Sequence, residues 1–148
     1  MYEHILIAAD NSETSIQALF EAIKLAKKLN ARLSIVHIIN TLLPTLGGLC
    51  LDNHNYEETL RIDGQTMLSN MENVARSEGL SVGTELIELH HINVSIAEKI
   101  LEISKLHNPD LLVLGTHAKG INRILLGSIA EAVLRDSTIP TLIIPGKE

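Results

Sequence analysis

Apolar residues occur along this chain in two alternating rhythms, short continuous runs and longer stripes at helical spacing. His4-Ile-Leu-Ile-Ala-Ala9 is a short apolar run ending at Asp10, the pattern of a strand buried on both faces. Asn11 to Ser15 are rich in residues that cap helices, and from there Ile16, Leu19, Phe20, Ile23, Ala26 and Leu29 recur at spacings of three and four. This predicts an amphipathic helix that stops at Asn30. Leu33 to Ile39 reads as a second strand, and Leu60, Met67, Met71 and Val74 mark a long helix over about 57–78, closed by Gly79. A third strand over 83–89 and a helix over 94–107, with Ile96, Ile100 and Ile103 inward, follow. Pro109 ends that helix, because it cannot continue it. Leu111 to Leu114 is a fully apolar strand running into Gly115, a short helix starts near Ser128, and Thr141 to Ile144 is the last strand.

Five apolar strands alternating with four amphipathic helices predict an α/β fold, a parallel sheet covered by helices on both faces. In such open sheets ligands sit beyond the carboxyl ends of the strands, at the switch point in strand order. That directs attention to residues 10–12, 38–40, 89–93 and 115–128. The segment 40–55, with Leu42, Leu43, Leu46, Leu49 and Leu51 beside Pro44, Gly47 and Gly48, is long and apolar for a connection. It reads as an excursion packed on its own domain, with a lid or partner surface as the alternative.

Composition narrows the function. The chain has 148 residues, the size of one domain spanning 1–148, and a formal net charge of -6. An acidic balance argues against nucleic acid, and three aromatics, Tyr2, Phe20 and Tyr56, do not make a base-stacking platform. Cys50 is alone, so no internal disulfide is expected, and the cytoplasm is the natural compartment. No apolar run approaches the roughly 18 residues of a membrane span.

The densest chemistry lies in Gly115-Thr-His-Ala-Lys-Gly-Ile-Asn-Arg-Ile-Leu-Leu-Gly-Ser128. Its glycines permit tight turns and a close backbone approach to a ligand. Ser128, with Glu131 three positions on, has the form of a capping box. Amides at a helix start make a seat for phosphate, and Lys119 and Arg123 can add charge-assisted bonds. No Asp or Glu occurs over 111–130, so the overall acidity leaves room for one small polyphosphate there.

These motifs together resemble the universal stress protein family. The resemblance spans the chain, from Ile5-Leu-Ile-Ala-Ala-Asp-Asn-Ser-Glu13 through Val36-His-Ile38, Pro109 to His117, Leu125 to Arg135 and Ile139 to Pro145. It implies a Rossmann-like doubly wound domain with a mainly parallel five-stranded sheet in the order 3-2-1-4-5. It also implies a homodimer through the strand Thr141 to Ile144 and, in one branch, ATP held by Gly-x2-Gly-x9-Gly-Ser/Thr. Here the second glycine is Ala118, and eight residues rather than nine precede Gly127, so weaker binding or an altered phosphate preference is expected; Gly120 can take over the turn. The resemblance places ATP, or ADP or AMP, with or without Mg2+, against Ala8, Ala9, Asp10 and Ile38 at the nucleoside. Gly115, His117, Ala118, Lys119, Gly120, Arg123, Gly127, Ser128 and Ile129 would hold the phosphates. With no Trp or Tyr nearby, the adenine would lie between aliphatic side chains.

Other chemistries find less support. A phosphoacceptor receiver domain needs a carboxylate after the third strand and a Lys after the fifth, where Leu89-His90 and Pro145 stand. His90 and His91 point to opposite faces of an extended chain and lack further ligands at metal spacing. No nucleophile elbow occurs, and no general base beyond His117 is evident, so slow ATP hydrolysis at most is expected; the resemblance implies a regulatory binding module in the stress response. The alternative is a nucleotide-free dimeric interaction module that uses the 40–55 segment for an unidentified protein partner.

Overall fold

The structure is a computed structural model that describes residues 1–42, 53–116 and 127–146. Its elements run β1 (His4–Ala9), α1 (Glu13–Leu29), β2 (Arg32–Ile39), α2 (Asn53–Ser77), β3 (Val82–Glu88), α3 (Ile96–His107), β4 (Leu111–Gly115), α4 (Ser128–Asp136) and β5 (Thr141–Ile144). Most of the 40–55 segment, residues 43–52, lies outside the described residues. All strand pairs are parallel, in the order β3-β2-β1-β4-β5, as the family resemblance implies.

Strand alternation divides the core in two. Ile5, Ile7 and Ala9 face α1 and α2, together with Leu33, Ile35 and Val113. Leu6 faces α3 and α4, together with Val36, Ile38, Leu112 and Leu114. The apolar runs are therefore continuous because both strand faces are covered.

The sequence-derived stripe of α1 needs correction. Ile16, Phe20 and Leu29 are exposed, at 47%, 49% and 42%, whereas Thr14, Ser15, Ala18, Leu19, Ala22, Ile23 and Ala26 are buried. The helix lays its line of small residues on the sheet, which lets the two approach closely, and carries larger apolar residues on its flanks. Its ends are capped as expected: Ser12 Oγ accepts from the Ser15 N–H at 3.1 Å, and Asn30 closes it in a left-handed conformation with φ 55°. In α2, Leu68, Met71 and Ala75 are buried, and Val74 is 37% exposed. A complete capping box, Ser95 with Glu98, opens α3.

Long-range polar contacts lock the layers. Arg61 on α2 pairs with Glu88 at the end of β3 and lies 3.4 Å from Glu57. Among the described residues no helix is long and apolar enough to cross a membrane.

Candidate functional site

β1 pairs with β2 on one side and β4 on the other, so the topological switch falls between β1 and β4. At the carboxyl ends of these strands lies a cleft of about 250 Å3. It is lined by Ala8 and Ala9 from β1, Asp10 directly after it, Ile38 from β2, Gly115 from β4, and Gly127, Ser128 and Ile129 at the start of α4. These are eight of the residues singled out from the sequence, brought together from four segments. The remaining ones, His117, Ala118, Lys119, Gly120 and Arg123, lie outside the described residues.

Each wall has a local cause. Asp10 Oδ1 accepts the Ser12 N–H at 2.8 Å, and the Asp10 N–H donates to Ser15 Oγ at 2.8 Å. Asp10 thus shapes the turn into α1, while Ser12 is the residue that caps the helix. Beside Asp10, His37 is buried with Nδ1 2.8 Å from the Ala9 carbonyl oxygen. A carbonyl only accepts, so Nδ1 carries the hydrogen and ties the ends of β1 and β2 together. Thr116, also buried, donates its N–H to the Ile144 carbonyl at 2.9 Å and ties β4 to β5 in the same way.

The start of α4 differs from the capping box read in the sequence. Gly127 is the N-cap, with φ 87° and ψ 149°, and Ser128 is already the first helical residue. A positive φ with that ψ is a region open in practice to glycine alone. Gly127 has no side chain to cap with, and the first turn of α4, from Gly127 to Ala130, lines the cleft. Positive helix-end polarity and outward N–H groups make this wall suited to an anion.

The opposite wall is apolar. Val36, Ile38 and Leu114 from the sheet and Ile96 and Ile100 from α3 form it, and Ala130 and Thr116 complete the lining. Val36, Ile96, Ile100, Leu114 and Ala130 lie outside the segments that the sequence marks for ligand binding, and Thr116 lies inside one of them without being a named site residue. Ile96 and Ile100 had been read as inward core positions, which they are, and their helix also overhangs the cleft. Only their place after β3, on the switch side, could have signalled it. His90 and His91 are exposed and stand apart from this cleft, near Val94 and Lys99.

A wider groove of about 440 Å3 runs between α1 and α2, under Phe20 and Met67. Its lining is mainly apolar, and it lacks a helix start and converging strand ends. The smaller cleft therefore has the stronger claim to ligand chemistry.

A fully parallel five-stranded sheet in this order, with helices on both faces, defines a doubly wound α/β domain. The model of the universal stress protein family matches residues 1–145, and the chain belongs to that family. It is 32% identical to universal stress protein MJ0531 of Methanocaldococcus jannaschii, over 100% of this chain and 86% of that protein. The crystal structure of a family protein from Burkholderia pseudomallei superposes with a TM-score of 0.80 at 26% identity, covering 98% of this chain and 97% of that one. The universal stress protein of Archaeoglobus fulgidus in complex with dAMP superposes with a TM-score of 0.70 at 21% identity, covering 97% of this chain and 98% of that one. That last likeness is one of fold.

Proposed function

We propose that this chain binds an adenine nucleotide, ATP or its relatives ADP and AMP, in the switch-point cleft and serves as a regulatory binding module in a stress response. The observation that carries the reading is the pairing, in one cleft, of the glycine-capped α4 start at Gly127 and Ser128 with an aliphatic wall of Val36, Ile38, Ile96, Ile100 and Leu114. Phosphate suits the first, and a base without aromatic partners suits the second. Asp10 lines the same cleft, and a carboxylate at the end of a first strand suits ribose hydroxyls. The dAMP complex of the Archaeoglobus relative supports an adenine ligand for this fold. Ala8, Ala9, Asp10 and Ile38 would hold the nucleoside, and Gly115, Gly127, Ser128 and Ile129 the phosphates. From the sequence, His117, Ala118, Lys119, Gly120 and Arg123 would join them, with Mg2+ as a companion of the longer phosphates.

The test is differential scanning fluorimetry with ATP, ADP and AMP. A ligand bound only to the native state stabilises by about 2.7 kcal/mol at a hundredfold excess over Kd. For a domain of this size that is a rise of roughly 5–11 °C, at about 2–4 °C per kcal/mol. No shift with any of the three at millimolar concentration sinks the reading.

The same reading includes a homodimer formed by antiparallel pairing of β5 with its copy. β5 is the outermost strand and its four residues are only half buried, so an apolar sheet edge there favours a cover. Light scattering that gives a monomer at micromolar concentration would refute it.

A further inference from the structure

We propose that His4 is a proton-sensitive latch for the first strand, holding the amino-terminal edge of β1 while its ring is neutral and releasing it as the ring becomes charged. This inference is independent of the nucleotide reading, because His4 lies at the opposite end of β1 from the cleft.

His4 opens β1 and is 4% exposed. Its Nε2 lies 2.8 Å from Ser34 Oγ on β2. Its Nδ1 is buried and has no hydrogen-bond partner among the described residues. In a neutral imidazole one nitrogen is an acceptor and the other a donor, so a single partner satisfies half of the ring. A cationic ring has two N–H donors, so protonation here would bury an unpaired donor together with a charge.

The neighbours weight the balance in the same direction. Arg32 on β2 and His107 at the end of α3, whose ring centroid is 6.5 Å from that of His4, are both unfavourable to a second positive charge. Glu85 on β3 lies 3.0 Å from His107 Nε2 and holds that ring in place beside His4. Asp110, in the turn before β4, is the group that favours a charged His4. Its carboxylate is already engaged by the N–H groups of Glu3 and His4, at 2.8 and 2.9 Å. Burial first, then Arg32 and His107, hold the His4 pKa below its ordinary 6.5.

The direction follows from linkage. Above pH 6.5 the ring is neutral in both folded and unfolded chains and costs nothing. As pH falls from there toward the lower folded value, the unfolded chain takes up a proton that the native ring refuses. The folding equilibrium then declines by up to about tenfold per pH unit. Asp110 cannot account for a loss in this window, because its two backbone donors hold it below the ordinary 3.8.

Heteronuclear NMR of the intact protein between about pH 4.5 and pH 8 reads the His4 ring directly. The ring should titrate below 6.5, and the exchange protection of the Ile5 to Ile7 amides should fall as it does so. His107→Gln should move the His4 titration upward. His4→Gln, followed by urea denaturation, should lose up to one proton of pH dependence, about tenfold per pH unit. A His4 ring titrating at or above 6.5 overturns the proposal, as does unchanged protection of β1 through its titration. If His4→Gln does not fold, the wild-type and His107→Gln titrations still decide the matter.

Discussion

The Cβ that Gly115 lacks would stand 2.9 Å from Thr14 Cγ2 and 3.0 Å from the Thr14 carbonyl oxygen, so the end of β4 and the first turn of α1 meet at backbone distance. Glycine at this position is thus required by contact between two elements of the chain itself. This adds to the tight turning and ligand approach that glycine permits there. Two cleft-lining residues flank this contact, since Asp10 precedes α1 and Gly115 ends β4.

Gly115→Ala should therefore destabilise by about 1–3 kcal/mol, because helix backbone cannot yield as a side chain does. Gly64 in α2 offers the contrast. Its added Cβ would meet Leu86 Cδ1 at 2.8 Å, the mobile end of a side chain, and His37 Cδ2 at 3.2 Å. Alanine in a helix interior gains roughly 1 kcal/mol over glycine, which offsets that crowding. Gly64→Ala should leave stability within about 1 kcal/mol of the parent. Parallel urea titrations compare the two, and equal losses would contradict the account of Gly115.

Asp10→Asn keeps an oxygen to accept the Ser12 N–H and removes the charge, so the melting temperature should change little. Nucleotide affinity should drop about tenfold to a hundredfold, the worth of a hydrogen bond to a charged group at roughly 1.5–3 kcal/mol. Isothermal calorimetry with AMP and ATP measures it. Parental affinity in a folded variant would remove Asp10 from the site.

Arg61 sets the acid response of the α2–β3 junction. Its hydrogen bond, then its charge, hold the Glu88 carboxyl below the ordinary 4.5, against the opposing effect of burial. A depressed carboxylate contributes stability that is fully present above 4.5 and is lost as pH falls through the folded value. In Arg61→Gln the Glu88 pKa should return toward 4.5 and that part of the acid loss should disappear. The loss at neutral pH should be small and salt-sensitive, since the Arg61 side chain is 37% exposed. Acid titration of the unfolding midpoint, at low and high salt, checks both parts. An unaltered acid profile would show that the pair carries no linkage.

Much of this architecture was legible in the chain. The runs at His4 to Ala9 and Thr141 to Ile144 coincide with β1 and β5, and Asn30 stops α1 where expected. The candidate residues from Ala8 to Ile129 that the structure describes line one cleft. On α1 the expected stripe is half right: Leu19, Ile23 and Ala26 are buried, but Ile16, Phe20 and Leu29 are exposed, because a stripe drawn through large apolar residues passes over Ala18 and Ala22. Ala18, Ala22 and Ala26 define the contact line, and their smallness is what permits the contact. At α4 the Ser128-Glu131 spacing suited a capping box, yet the backbone places the cap one residue earlier, at Gly127.

Periodicity, turn residues and caps are local, so the sequence by itself determined the number, kind and order of the strands and helices. The strand order followed from family resemblance, not from spacing. Tertiary structure alone decided which α1 face is buried, why Gly115 must lack a side chain, and that Ile96 and Ile100 overhang the cleft. It also decided that His4 is enclosed by Ser34, His107 and Asp110. These facts depend on partners about 30 to 110 positions away in the chain, brought together only when the sheet is assembled and both its faces are covered.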